Sequence, residues 1–155
     1  MFIPRPPVET RVRVRYAETD QMGVVYHANY LIWMEVGRVE YCRASGFRYR
    51  DLEAAGVLLA VVEVNCRYLS PALYDDEVVI ETNIEEATPR LVRFCYRLYS
   101  GEDGAGIKAG SGIKERRLLA EGFTKHVFCG RDRKAAKLPK QYHAIFGVTV
   151  SSTPE

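Results

Sequence analysis

One long helix followed by an unbroken run of strands is the feature of this sequence that most restricts its fold. Between Asn29 and Ser45, small or apolar residues recur at helical spacing, and Gly46 then provides a C-terminal stop. A shorter helical segment is predicted from Tyr49 to Ala55. After Gly56, the Val, Ile, Tyr, Phe and Leu residues cluster in segments of strand length, near 58–69, 77–87, 91–100 and 117–129. This order predicts an α+β domain in which a helix lies on an antiparallel sheet.

Another strand is expected before the helix. Val12, Val14 and Tyr16 alternate with three arginines, which is the period-two pattern of a strand with one buried face and one wet face. We therefore predict a strand from Thr10 to Tyr16, followed by a polar turn from Glu18 to Gly23.

The length and apolar content fit one domain. With 155 residues and 47% hydrophobic residues, the chain can bury a sizeable core. We predict a single domain over residues 1–147, interrupted by a flexible glycine-rich loop at 101–114. Residues 148–155 are predicted to form a loosely held tail.

The charge balance restricts the class of partner. The chain has 22 Lys and Arg against 20 Asp and Glu, a net charge of +2, which argues against a protein that binds nucleic acid mainly through phosphate neutralisation. The expected partner is a neutral or modestly anionic small molecule. Prolines interrupt the start of the chain, and the longest apolar run, 57–62, is too short to span a membrane, so we predict a cytoplasmic protein.

Metal-binding patterns are missing from the sequence. The four cysteines are widely separated without a C-x-x-C pair, and they are predicted to be free thiols. His126 and His143 have no partners at ligand spacing. We therefore predict neither a metal nor a cofactor.

Chemistry concentrates where the first strand meets the helix. Tyr16, Asp20 and His27 place an acid and base set beside the free N–H groups of a helix N-terminus. Such a set can stabilise an oxyanion while a carboxylate attacks a carbonyl or activates water. The alternative is that Asp20 only caps a turn and His27 only caps the helix.

A longer motif favours the catalytic interpretation. The pattern D-x-x-G-x-V-Y-H-x-x-Y runs from Asp20 to Tyr30, and E-x-x-R follows from Glu35 to Arg38. Together these resemble the hot-dog-fold acyl-CoA thioesterases, and within them the 4-hydroxybenzoyl-CoA thioesterase and YbgC-like group. The resemblance covers about residues 10–146, and the glycine-rich insertion is its main departure.

The resemblance implies a fold and an assembly. A long central helix would be wrapped by a curved antiparallel sheet, and two protomers would join their sheets so that acyl-CoA lies between them. A homodimer or a homotetramer is therefore expected, with acyl-CoA as substrate and acyl carrier protein as a second candidate carrier.

The resemblance also assigns roles to residues. Asp20 would be the catalytic carboxylate, either as nucleophile or as general base, and the backbone N–H of His27 would hold the oxyanion. His27 would orient Asp20 or water, and Tyr16 would complete the set, although its ring could instead fill the core. Arg90 is either the contact for a CoA phosphate or simply a solvated residue of a turn. Val25 and Tyr26 are further candidates for substrate binding.

Other interpretations are kept open. A hot-dog dehydratase and a non-catalytic module that binds acyl thioesters or acyl carrier protein are the alternatives to a hydrolase. Glu35 and Arg38, three residues apart on the helix, are expected to form an ion pair. Glu63 either borders the pocket or faces water.

Overall fold

A computed structural model describes residues 2–101 and 116–149 of the chain. Within these residues, five strands form one antiparallel sheet in the spatial order β1-β3-β4-β5-β2. The strands are β1 (Val8–Arg13), β2 (Leu58–Tyr68), β3 (Glu77–Ala87), β4 (Leu91–Ser100) and β5 (Leu118–Cys129). The helices are α1 (Asn29–Ala44), α2 (Tyr49–Ala54) and α3 (His143–Phe146), and short 3-10 turns occur at Tyr16–Glu18 and Lys140–Tyr142. Strands β1 and β2 are consequently the two edges of the sheet.

The core lies between α1 and one face of the sheet. Helix α1 packs against β1, β3 and β4, and it buries a face with helical spacing. That face consists of Tyr30, Trp33, Met34, Gly37, Tyr41 and Cys42. On the sheet, alternate residues of β4 are buried beneath the helix, because successive side chains of a strand point to opposite faces. This packing is the α+β arrangement predicted from the sequence.

Close contact between helix and sheet depends on a glycine. A Cβ added at Gly37 would lie 2.8 Å from Ile80 Cγ2 and still closer to the Thr82 hydroxyl. Only a residue without a side chain lets α1 approach β3 this closely. Gly37 therefore sets how deeply the helix sits on the sheet.

The first strand ends earlier than predicted. Strand β1 ends at Arg13, and Tyr16 lies in a 3-10 turn with its side chain 79% exposed. The alternation of Val12, Val14 and Tyr16 is therefore misleading at its last member. The chain turns here because the Glu18 carboxylate accepts a hydrogen bond from the Arg15 backbone N–H (2.9 Å).

The ends of the predicted loop and tail can be placed in part. Most of the glycine-rich loop predicted at 101–114 lies outside the described residues, as do residues 150–155 of the predicted tail. Val148, which was assigned to that tail, is buried and forms a β-bridge with Phe2. Among the described residues, no helix is both long enough and apolar enough to cross a membrane.

Candidate active site

Asp20 lies at the tip of a tight hairpin-like loop. The Tyr26 N–H donates to the Glu18 carbonyl (2.8 Å), and the Asp20 N–H donates to the Val24 carbonyl (2.9 Å). Gly23 closes the loop with a φ of 74°, a left-handed conformation that favours glycine. Asp20 Oδ1 accepts a hydrogen bond from the Met22 N–H (2.8 Å). No described group donates to the second carboxylate oxygen, so it is available to a ligand.

The loop leads directly into the N-terminus of α1. The N–H groups of Asn29 and Tyr30 are used by turn hydrogen bonds to the carbonyls of Tyr26 (3.0 Å) and His27 (3.3 Å). Within residues 2–101 and 116–149, the N–H groups of His27 and Ala28 donate to no acceptor. Unpaired N–H groups at a helix N-terminus carry partial positive charge and suit an anionic oxygen. The predicted oxyanion donor at His27 is thus unoccupied by other protein groups.

Glu18 supports the candidate site, and the sequence reasoning missed it. Its side chain is only 4% exposed, and its Oε2 accepts a hydrogen bond from the Trp33 indole N–H (3.0 Å). Its backbone carbonyl accepts a second bond from the Asn29 side-chain amide (2.9 Å). Glu18 therefore fastens the Asp20 loop to the first turns of α1. The signal available in the sequence was the spacing from Arg15 to Glu18, which suits a capping box.

We expect Trp33→Phe to lower the free energy of unfolding by about 1–2 kcal/mol, because the buried Glu18 carboxylate loses a donor. Urea denaturation followed by circular dichroism measures this, since the variant retains no tryptophan fluorescence. A double-mutant cycle with Glu18→Gln separates the hydrogen bond from ring packing. Additive effects of the two substitutions would contradict the proposed link.

Aromatic rings surround the start of the helix. The rings of Tyr26 and His27 are 4.4 Å apart, and the Tyr68 hydroxyl donates to the His27 carbonyl (2.9 Å). Tyr30 and Tyr68 meet edge to face with centroids 5.1 Å apart. Tyr68, on edge strand β2, thus fixes His27, and the sequence motif gave no indication of this contact.

The remaining residues predicted near Asp20 have different surroundings. Tyr16 is exposed and its ring meets the Tyr74 ring edge to face at 5.7 Å, so it does not fill the core. Val25 is 5% exposed and packs in the core, whereas Tyr26 is exposed. Of that candidate pair, Tyr26 is the one whose side chain an incoming ligand can reach in a single chain.

Arg90 is not near Asp20 in the same chain. The Asp20 loop contacts the segment just before β3, through the Val25 N–H and the Ala72 carbonyl (2.9 Å). Arg90 follows the other end of β3, which has 11 residues. At about 3.3 Å per residue, the two ends are roughly 33 Å apart along the strand. Arg90 and Asp20 of one chain therefore cannot contact the same small group.

The prediction of an ion pair between Glu35 and Arg38 is wrong. The Arg38 side chain lies beside the phenols of Tyr49 and Tyr96 instead, while Glu35 is exposed. Glu63 also has an exposed side chain, so in a single chain it faces water.

The part of the chain that the structure describes contains no group of three or more His, Cys, Asp and Glu side chains suited to a metal ion. Its four cysteines are free, and burial raises the pKa of the Cys42 thiol to about 12.

The fold and the loop together define a class of protein. A long helix that lies on an antiparallel sheet, with a carboxylate loop at its N-terminus, characterises the hot-dog domains, as the sequence motif indicated. A family model described as the thioesterase superfamily matches residues 22–107, beginning just after Asp20. The chain belongs to the thioesterase superfamily, which is a family of thioester hydrolases.

Individual relatives agree with this membership. YneP of Bacillus subtilis, a provisionally assigned acyl-CoA thioesterase, is 47% identical over 100 residues, which are 64% of this chain and 72% of YneP. The acyl-CoA thioester hydrolase YbgC of Escherichia coli is 36% identical over 92 residues, which are 59% of this chain and 69% of YbgC. A DHNA-CoA thioesterase structure from Staphylococcus aureus superposes with a TM-score of 0.77 at 28% identity, covering 90% of this chain and 88% of that protein. The predicted fold class and YbgC-like resemblance are confirmed.

Proposed function

We propose that this protein is an acyl-CoA thioesterase that hydrolyses the thioester to a free acid and CoA. The observation that carries the proposal is the Asp20 loop, which leads into a helix N-terminus whose His27 and Ala28 N–H groups are free among the described residues. A carboxylate with one oxygen free and a pair of backbone donors are the two elements that hydrolysis of an acyl group requires. The names of relatives such as YbgC support acyl-CoA as the substrate class.

In the proposed reaction, the substrate carbonyl oxygen lies against the N–H of His27. As the carbonyl carbon is attacked, negative charge develops on this oxygen and the helix N-terminus stabilises it, and one such donor contributes about 3 kcal/mol. Asp20 either attacks the carbonyl carbon and expels the CoA thiolate, forming an anhydride that water hydrolyses, or removes a proton from a water whose attack expels the thiolate. Both routes use the same carboxylate oxygen, and they yield the same products.

His27 and Tyr16 are assigned supporting roles. A thiolate is a good leaving group and needs little protonation, so His27 is proposed to orient water or Asp20. The contact of Tyr68 with the His27 carbonyl supports a fixed position for this residue (2.9 Å). The exposed Tyr16 ring is available to cover bound substrate.

A second copy of the chain is proposed to complete the site. Edge strand β2 has 11 residues and exposes Val61, Val62 and Val64. A long apolar edge strand pairs readily with another strand. Exposed aromatic and apolar residues also surround the Asp20 loop, and a large exposed apolar patch marks an interaction surface. These are Tyr16, Met22, Tyr26, Tyr68, Leu69, Leu73 and Tyr74.

Pairing through β2 would also allow Arg90 to contact the CoA phosphate despite its distance from Asp20 in the same chain. Because Arg90 is far from Asp20 in its own chain, a role in binding CoA phosphate requires the acyl group to lie at the Asp20 loop of a partner copy. We therefore propose a homodimer with acyl-CoA between its protomers. The homotetramer and the cytoplasmic location stay predictions.

The proposed assembly predicts that Val62→Lys combined with Val64→Lys converts the dimer to a monomer, because charges on an edge strand oppose strand pairing. Sedimentation equilibrium measures the mass, and circular dichroism checks the fold. Ile3→Lys is the control, since Ile3 is similarly exposed (53%, against 55% for Val62) but belongs to the segment before β1 and hydrogen-bonds with Gly147 through its backbone. An unchanged mass for the β2 variant would contradict the interface.

Thiol release tests the proposed reaction. Purified protein is incubated with short-chain, long-chain and aromatic acyl-CoA esters, with a thiol-trapping dye and EDTA present. Release of CoA with a stoichiometric amount of free acid supports the hydrolase. Conversion between hydroxyacyl and enoyl esters without thiol release would identify a dehydratase instead. Binding without turnover, for both CoA and carrier-protein esters, would identify a binding module.

A further inference from the structure

The peptide group between His27 and Ala28 is held from its carbonyl side. The His27 carbonyl accepts a hydrogen bond from the Tyr68 hydroxyl (2.9 Å) and a longer one from the Tyr30 N–H (3.3 Å). The N–H of the same peptide group belongs to Ala28, and among the described residues it has no acceptor. Because the C=O and N–H of a trans peptide point in opposite directions, the bond from Tyr68 directs the Ala28 N–H away from Tyr68.

The backbone of Ala28 gives this N–H a second constraint. Ala28 directly precedes α1 and already has helical dihedral angles, with φ of −66° and ψ of −23°. N–H groups of helical residues lie along the helix axis and point toward its N-terminus. The Ala28 N–H therefore points out of the end of α1 that the Asp20 loop enters, next to the N–H of His27. We call these two N–H groups the oxyanion site.

The sheet, rather than the loop, fixes the position of the Tyr68 hydroxyl. Tyr68 is the last residue of β2, where it pairs with Ala120 of β5. Its ring meets the rings of Tyr30 and His27 edge to face, with centroids 5.1 Å and 6.2 Å away. These ring contacts do not involve the hydroxyl, so its hydrogen bond can be removed while the packing stays.

The hydroxyl is a permanent donor. A carbonyl oxygen can only accept, so the proton in this bond belongs to Tyr68. Partial burial raises the pKa of Tyr68 to about 12, and the hydroxyl therefore keeps its proton at neutral and mildly alkaline pH. A hydrogen bond to a peptide carbonyl draws electron density toward the oxygen and makes the N–H of that peptide group a stronger donor, since hydrogen bonds in a chain polarise one another.

We propose that Tyr68 is a positioning residue for the oxyanion site, because its hydroxyl orients and polarises the peptide group that supplies the Ala28 N–H. In this role Tyr68 does not touch the substrate, and the Ala28 N–H is the second donor to the thioester oxygen. The inference rests on the proposed hydrolysis. Negative charge on that oxygen is greatest in the transition state, so the contribution of Tyr68 is larger there than in the bound substrate.

Tyr68→Phe removes the hydroxyl and keeps the ring. We expect kcat for acyl-CoA hydrolysis to fall about threefold to tenfold, because one oxyanion donor is weakened but not lost. KM should stay unchanged, since the lost interaction is made in the transition state. An unchanged kcat, or a rise in KM that accounts for the whole loss of kcat/KM, would overturn the proposal.

Tyr142→Phe is the matched control. Tyr142 also packs its ring against an aromatic residue, Phe47, which follows the C-terminal end of α1. The control therefore removes the same hydroxyl at the far end of the helix, and we expect kcat and KM to stay at their wild-type values. Equal losses of kcat in the two variants would show that a general effect on packing is responsible, which would also overturn the proposal.

The amide nitrogen chemical shift of Ala28 tests the hydrogen bond without any turnover. In ligand-free protein carrying isotope-labelled alanine, the Ala28 signal should move upfield in Tyr68→Phe and stay in place in Tyr142→Phe. An unmoved signal in Tyr68→Phe would overturn the proposal whether or not the protein is a thioesterase. A moved signal in a protein whose wild type releases no thiol would overturn the proposed function, and with it the catalytic role of Tyr68, but not the hydrogen bond.

Discussion

Asp20→Asn is expected to reduce kcat for acyl-CoA hydrolysis by about a thousandfold or more, because the amide can neither attack a thioester nor remove a proton from water. The fold should be unaffected. Asp20 Oδ1 accepts the Met22 N–H, and an asparagine side-chain oxygen accepts the same bond. Thiol release gives kcat, and thermal unfolding by circular dichroism gives Tm. We expect a Tm close to that of wild type.

The chain provides a matched control for this substitution. Asp132 Oδ1 accepts the Lys134 N–H (3.0 Å), which is the same bond from residue i+2 that Asp20 makes in its own turn. Asp132→Asn removes a carboxylate from an equivalent turn away from the helix N-terminus, and we expect it to leave kcat unchanged. Equal activities of Asp20→Asn and wild type would exclude Asp20 as nucleophile and as base. A large fall in Tm would show that Asp20 mainly supports the fold.

The fold could be predicted because its elements have strong local periodicity. The predicted helix at 29–45 occurs as Asn29–Ala44, and the strands predicted at 77–87 and 91–100 occur with those bounds. In α1 the apolar residues recur every three or four positions, and in β4 they alternate. Each pattern fits only one type of secondary structure. The short C-terminal helix α3 has only four residues and carries too weak a pattern to predict.

The candidate site could be predicted only where residues are close in sequence. Asp20 and His27 belong to one continuous motif, so the loop that connects them to the start of α1 follows from the sequence. The contacts of Glu18 with Trp33 and of Tyr68 with His27 join residues 15 and 41 positions apart, and only the tertiary structure brings these together. For Arg90, the resemblance predicted a role in substrate binding but not its position, which is far from Asp20 within one chain.

Arg38 shows how local spacing can mislead. Glu35 lies three residues before it, which predicted an ion pair on the surface of α1. Instead the guanidinium lies near the phenols of Tyr49, on α2, and Tyr96, on β4. Tyr96 in turn hydrogen-bonds with the Thr124 hydroxyl (2.6 Å). The long aliphatic part of an arginine allows its charged end to be placed in a polar cluster that no sequence pattern predicts.

His126 lies in this buried cluster, next to Thr124 on β5. Its ring is fully buried, with Nε2 at 2.8 Å from the Thr124 hydroxyl and with Nδ1 lacking a partner among the described residues. Burial, together with the positive charge of Arg38, lowers the pKa of His126 to about 4. The groups that face it are the Arg38 cation from α1 and the Phe94 ring from β4, whose centroid lies 5.6 Å from that of the His126 ring. Among the described residues, no carboxylate contributes to its pKa.

Acid should therefore destabilise the protein through His126. In the unfolded chain a histidine binds a proton as pH falls through about 6.5, whereas folded His126 binds it only near pH 4, so the unfolded state gains stability between these values. The expected loss is about 3 kcal/mol of unfolding free energy from pH 7 to pH 4. His126→Gln cannot titrate, and its urea-denaturation free energies should fall correspondingly less over this range. Comparing slopes rather than absolute values removes any cost of the substitution itself, because that cost is present at every pH. Parallel pH profiles for the variant and wild type would show that His126 is not the group responsible.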